Sequence, residues 1–194
     1  MSTDQPGVIL ASTSRYRRAL LARLLPDFRC QAPDFEEVAG PGEAPLDLAR
    51  RLAEGKAASV AGGPAIVIGS DQVAALGTRV LGKPGGREAA QAQLADMAGQ
   101  AVVFHTAVCV IGPGGSPRET HVDTTTVRMR ALSAEEISRY LDRDEPYDCA
   151  GSFKAESMGV TLMESMENQD PTAIQGLPLI WLASCLRRLG LRLP

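Results

Sequence analysis

The chain has 194 residues, 44% of them hydrophobic and 22% charged, with a formal net charge of -3 at pH 7. These are globular values, enough to build a substantial core, and the low-hydrophobicity signature of disorder is absent. The acidic balance argues against a surface that grips nucleic acid through its phosphates, while a small anion in a local basic pocket stays compatible with it.

Val8 to Leu10 is a short apolar run that leads through Ser12 and Ser14 into a helical pattern carrying Leu20, Leu21 and Leu24. Helices are predicted from Pro45 to about Ala61 and from Gly86 to Met97, with a buried strand at Ala65 to Gly69 between them. Two β-rich stretches follow, Ala101 to Ile111 and His121 to Met129, joined by Gly-Pro-Gly-Gly into a long hairpin. Ser133 with Glu136 makes a capping box for a helix ending before Pro146, and a last helix runs from about Leu177 to Leu189 with Gly190 as its stop. Alternating strands and helices with an antiparallel hairpin predict an α/β protein with a mixed twisted sheet flanked by helices, expected as one unit over residues 1–194.

Cys30, Cys109, Cys149 and Cys185 form no C-x-x-C pair and read as reduced structural thiols. No secretory leader and no bilayer-length apolar run is visible, so a cytoplasmic protein with no membrane or nucleic-acid partner is expected.

Three features break the ordinary pattern. Arg15, Arg17 and Arg18 crowd the first turn of the helix capped by Ser14, where the macrodipole disfavours cations unless an anion sits against them. Lys56 takes a core position on the stripe Ala49, Leu52, Ala53, Lys56 and Val60, so it either snorkels past the core edge or faces a polar pocket. Asp71 follows the apolar strand and is expected in the turn after Gly69, at the strand's carboxyl end where α/β sheets bind ligands. The acidic loop residues Asp34, Glu36 and Glu37 are candidates to join Asp71 around a hard cation.

Other motifs are weaker. GTRVLGKP at 77–84 fails as a phosphate-binding P-loop because Pro84 replaces the hydroxyl residue, and a hairpin turn suits its glycines better. Lys83 stays a candidate phosphate ligand. His105 and His121 lack metal-ligand spacing and read as structural. Lys154 and Glu156 alternate on an expected extended segment, and Asp170-Pro171-Thr172 reads first as a turn and helix start.

LASTS with its paired arginines, the Glu-Glu pair at 36–37, LAEGKA, IGSDQV, GKP, AGSFKAE and DPTAIQGLPL occur in an order and spacing that resembles the Maf family of nucleotide pyrophosphatases. The resemblance covers nearly the whole chain. It implies two lobes with a cleft between them, and hydrolysis of a nucleoside triphosphate to the monophosphate and diphosphate with a divalent metal, magnesium or manganese. By the same resemblance Asp71 is the catalytic proton acceptor, Glu37 joins it at the metal, and Ser12, Arg17 or Arg18, Lys56 and Lys83 surround the triphosphate. GSDQ with Glu156 is similar to the branch that acts on 7-methyl-GTP, which puts base choice on Tyr16, Gln72 and Glu156. Arg15 departs from the family's usual proline, and Tyr16 stands where that branch commonly has tryptophan. The same chemistry on dTTP, UTP or another non-standard nucleotide is the nearest alternative. A nucleotide-binding cell-division regulator with little turnover is a further one, and a homodimer is left open.

Overall fold

The computed structural model describes residues 6–194. Its strands form one sheet in the order β2 (Arg29–Gln31), β1 (Val8–Ala11), β3 (Ile66–Leu76), β5 (Ala101–Ile111), β6 (Arg118–Met129) and β7 (Met163–Glu167), while β4 (Arg79–Leu81) pairs with the far half of β3. β1 runs parallel to β2 and β3, and every other pairing is antiparallel. The mixed sheet matches the sequence reading. All four residues of β1 are buried, the pattern of a strand covered on both faces.

The helices are α1 (Arg15–Leu21), α2 (Pro45–Ala58), α3 (Arg87–Met97), α4 (Ala134–Asp144) and α5 (Leu179–Arg188). α4 opens with the predicted capping box. None of the described helices is long and apolar enough to cross a membrane.

Strands β3 and β5 each run eleven residues and serve two cores on one face. At one end, Ile68, Val108 and Val110 pack with Leu20 and Leu21 of α1 and Leu182 and Leu186 of α5. At the other, Ala74, Val102 and Phe104 pack with Leu94 of α3 and Ile137 and Leu141 of α4. The opposite face is covered by α2, whose Ala49, Ala53 and Ala57 lie against Val67 and Cys109. Two lobes therefore share one sheet.

The register creates the opening between them. β1 pairs with β3 only as far as Ala11 opposite Gly69, and β4 begins pairing at Leu81 opposite Ala74. Along that edge of β3, Ser70 to Val73 is left without a neighbouring strand. The chain leaving β1 enters α1 at one side of this gap, and the chain leaving β4 passes Lys83 at the other.

Two expectations are corrected. β3 does not stop at Gly69 but stays paired with β5 through Ala75, so Asp71 stands mid-strand opposite Ala107 rather than in a turn. The glycine serves close packing instead: a Cβ there would lie 2.4 Å from Ala53 O and 2.5 Å from Ala57 N of α2. Residues 154–157 form a turn between two 3-10 helices, Ala150–Ser152 and Met158–Leu162, and not an extended segment. The hairpin turn at 77–78 is observed, with Gly77 at φ 60°.

Candidate active site

The gap in the sheet edge holds a charge cluster in which Lys56 and Asp71 are buried and Glu37 is half-exposed. Lys56 Nζ lies 2.6 Å from Asp71 Oδ1 and 2.8 Å from Glu37 Oε1. Side chains alternate along a strand, so Asp71 projects to the same face as Gly69, the face that meets α2. Because Gly69 admits α2 at backbone distance, Lys56 is brought level with Asp71 from the same helix. Lys56 is 4% exposed and so does not snorkel. It meets carboxylates directly.

Glu37 comes from the loop before α2 and reaches this cluster through a second close approach. A Cβ on Gly55 would fall 2.2 Å from Phe35 Cζ, so the phenyl ring lies on the bare helix surface beside Lys56. That contact anchors the loop two residues before Glu37. Asp34 and Glu36 point to solvent and do not line the recess.

Around the cluster lies a recess lined by Ser12, Ser14, Arg17, Glu37, Lys56, Asp71 and Lys83 among others. Ser14 caps α1, accepting from the Arg17 N–H at 3.4 Å, and Ser12 Oγ accepts from the Ser14 N–H at 3.1 Å. Arg17 donates from Nε to Gly176 O at 3.0 Å. Burial lowers the guanidinium's pKa, and the fields of Asp71 and Glu37 act against that shift. Arg18, one position further round α1, is exposed and lines neither recess. Of the two arginines named from the sequence, Arg17 faces the recess and Arg18 does not, because residues about 100° apart on a helix face different ways.

A second recess adjoins the first and shares Ser14, Arg17, Gln72, Lys83 and Ala150 with it. Tyr16, Glu156, Phe104, Phe153 and Ile174 line the rest of it. Gln72 projects to the sheet face opposite Asp71, and its Nε2 donates to Thr106 Oγ1 at 2.9 Å and to Ala173 O and Ile174 O at 3.0 Å each. Its amide orientation is thereby set. Tyr16 lies beside Asp148, with Oη 3.4 Å from both carboxylate oxygens, and accepts from Arg15 at 2.7 Å. Burial, the first cause, raises the phenol's pKa, so it stays protonated. Glu156 is exposed on its turn and faces this recess from the other lobe.

Several lining residues had no sequence signal of their own. Asp148 carries a salt bridge to Arg15 across 133 positions of chain, and Gly176 supplies the carbonyl that fixes Arg17; neither role has a local pattern. Asp170 behaves as the predicted structural residue: Oδ1 accepts from Thr172 and Oδ2 from the Ile180 N–H, which starts α5. His121 stacks on Trp181 at 5.2 Å and His105 lies beside Thr124, both away from the recesses.

The donor set suits a hard divalent cation. Asp71 Oδ2 and Glu37 Oε2 have no hydrogen-bond partner among the described residues, while their other oxygens are held by Lys56. No cluster of three or more His, Cys, Asp or Glu is assembled among those residues. A pair of carboxylates is the usual protein share of a magnesium site completed by water and phosphate.

A family model described as Maf-like protein matches residues 7–189. The chain is 53% identical over 192 residues to a protein of Xanthomonas axonopodis pv. citri (strain 306) named 7-methyl-GTP pyrophosphatase, covering 97% of this chain and 100% of that one. It is 51% identical over 193 residues to a Bordetella pertussis protein of the same name, covering 98% and 96%. Among solved structures it is similar to the Staphylococcus aureus Ham1 protein, with TM-score 0.52 and 14% identity over 94% of this chain and 98% of that one, a likeness of fold.

Proposed function

The chain belongs to the Maf family, and from that membership we propose that it is a single-domain cytoplasmic hydrolase that cleaves 7-methyl-GTP to the monophosphate and diphosphate. One observation carries the assignment of parts: a recess with paired carboxylates and cations runs into a second recess with an aromatic ring and an acid, and the two share Arg17, Gln72 and Lys83. A triphosphate fits the first and a base the second.

Water adds across the α–β phosphoanhydride, and Asp71 accepts the proton it loses. Asp71 and Glu37 would hold magnesium or manganese, which would supply charge neutralisation at the phosphates and make water more acidic. Lys56 keeps the two carboxylates together. Arg17 and Lys83, with Ser12, bind phosphate oxygens, and guanidinium and ammonium offset the charge that moves onto the leaving diphosphate. Gly176 fixes the Arg17 side chain, so this cation needs no reorientation when charge develops.

Base choice rests on Tyr16, Gln72 and Glu156. Methylation at N7 leaves guanine with a delocalised positive charge, which the Tyr16 face and the Glu156 carboxylate both favour. The amide donors of Gln72 are spent on Thr106 and the 173–174 backbone, which leaves its carbonyl to accept from guanine N–H groups. The test is diphosphate release by the purified protein with magnesium or manganese, comparing kcat/KM for 7-methyl-GTP, GTP, UTP and dTTP. The reading requires 7-methyl-GTP to lead; equal or higher values for UTP or dTTP would remove it.

A further inference from the structure

A separate recess is lined by Arg130, by Glu136, Arg139, Tyr140 and Arg143 of α4, and by Met158, Thr161 and Leu162, which follow the Glu156 turn. None of these residues lines the catalytic recesses. We propose that this recess binds a phosphoryl dianion.

Arg130 is already oriented, donating to Thr161 O at 2.7 Å and to Glu136 Oε1 at 2.6 Å. Glu136 is itself tied to the Ser133 N–H at 2.8 Å by the capping box. Arg139 and Arg143 pair with no carboxylate among the described residues. They stand four positions apart on α4, where like charges destabilise a helix. Arg143 is explained by the last turn, which the macrodipole makes favourable for a cation. Arg139 lies mid-helix, one turn beyond Glu135 and Glu136, and its charge helps to lower the Glu136 pKa, yet it makes no direct ion pair and its guanidinium lines the recess.

Charge selects the class of ligand. Three guanidiniums against one carboxylate leave two positive charges, which a phosphoryl dianion neutralises and a single carboxylate does not. Guanidinium forks also match phosphate oxygens two at a time. Tyr140 Oη accepts from the Lys154 N–H at 2.9 Å, which ties the recess to the segment just before Glu156. The recess is continuous with the Glu156 turn: the Arg130 N–H donates to Leu162 O at 2.9 Å, and Ser157 Oγ donates to Asp144 Oδ1 at 2.9 Å. An anion there clamps the back of that turn against α4.

The experiment is methyl NMR of 13C-methionine protein, because Met158 lines this recess while Met97 and Met129 lie in the core. Inorganic diphosphate and inorganic phosphate are titrated separately, with the Met158 signal assigned from Met158→Leu. The Met158 methyl should shift to saturation. The shift should persist in Lys83→Ala, which weakens only the catalytic recess, and vanish in Arg139→Ala/Arg143→Ala with the Met97 and Met129 signals unmoved. Saturation by both anions assigns any phosphoryl dianion; saturation by diphosphate alone assigns the larger product of the cleavage. A Met158 signal that ignores both anions, or responds equally in the double arginine variant, overturns the site. Failure here leaves the catalytic reading untouched, because no residue is shared between them.

Discussion

Phe35 lies flat against Gly55, so close that a methyl group on residue 55 would stand 2.2 Å from the ring. The contact decides where Glu37 stands, because Phe35 is the loop's anchor two residues before it. Gly55→Ala should leave a folded protein whose loop is displaced. Misplacement of a reacting group by about 1 Å costs on the order of 100-fold in rate, so kcat/KM should fall 10- to 100-fold by that order-of-magnitude reasoning. The apparent magnesium requirement should rise with it. Unchanged metal dependence would detach Phe35 from the placement of Glu37.

Asp71→Asn keeps the side-chain shape and an oxygen for Lys56 while removing the charge and the base. Turnover should be lost, with diphosphate release at background and a thermal melt close to the parent protein. Activity within a few-fold of the parent would end the catalytic assignment of Asp71.

Lys56 and Lys83 should part company in a melt. Lys83 is exposed, so Lys83→Ala should weaken every nucleotide by a similar factor and leave Tm in place. Lys56 is buried against the buried Asp71, with Glu37 half-exposed beside them, and breaking a buried pair from one side costs about 3–5 kcal/mol. Lys56→Ala should therefore lower Tm by several degrees as well as activity. Equal melts for the two variants would show that the buried cluster contributes nothing to the fold.

For base selection, Tyr16→Ala should reduce the preference for 7-methyl-GTP over GTP by roughly 2- to 30-fold, the span of a cation–π contact of about 0.5–2 kcal/mol. Glu156→Ala should reduce the preference for either guanine nucleotide over UTP and dTTP. The four kcat/KM values in each variant decide it, and constant ratios would return Tyr16 and Glu156 to purely structural roles.

Asp123 gives a pH-dependent signature. Burial first, and then the nearby charge of Asp170, raise its carboxyl pKa, and its Oδ1 is buried without a partner. With the folded value above the unfolded one, protonation favours the fold; that contribution is full below the unfolded pKa of about 4 and is lost as pH rises through the folded value. Asp123→Asn should accordingly raise Tm at pH 8, with the gain shrinking toward pH 4. A gain that is constant across that range would assign the effect to packing rather than charge.

Elements with strong periodicity were legible in the sequence: α2, α3, α4, α5 and the β5–β6 hairpin stand within a few residues of their expected bounds. β2, β4 and β7 were not, because strands of three to five residues at sheet edges carry too little alternation to register. Gly69 misled for a physical reason. A glycine that ends a strand and one that admits a helix backbone look alike in one dimension, and only the contact with Ala53 and Ala57 separates them. The anomalous cations proved informative for Lys56 and Arg17, since a charge placed against its local pattern must be answered from elsewhere in the fold. Arg17 and Arg18 were indistinguishable by spacing, and Asp148 and Gly176 act through partners more than 130 residues away.

The unbroken passage of β3 and β5 through both lobes limits how the enzyme can move. Eleven-residue strands, paired continuously from Val67 opposite Ile111 to Ala75 opposite Val103, form a beam that resists bending at the waist. Any rearrangement around a nucleotide is expected in the pieces hung on that beam, such as the loop bearing Glu37 and the β3–β4 hairpin leading to Lys83. With one pair of strands common to both lobes, heat should melt the two together.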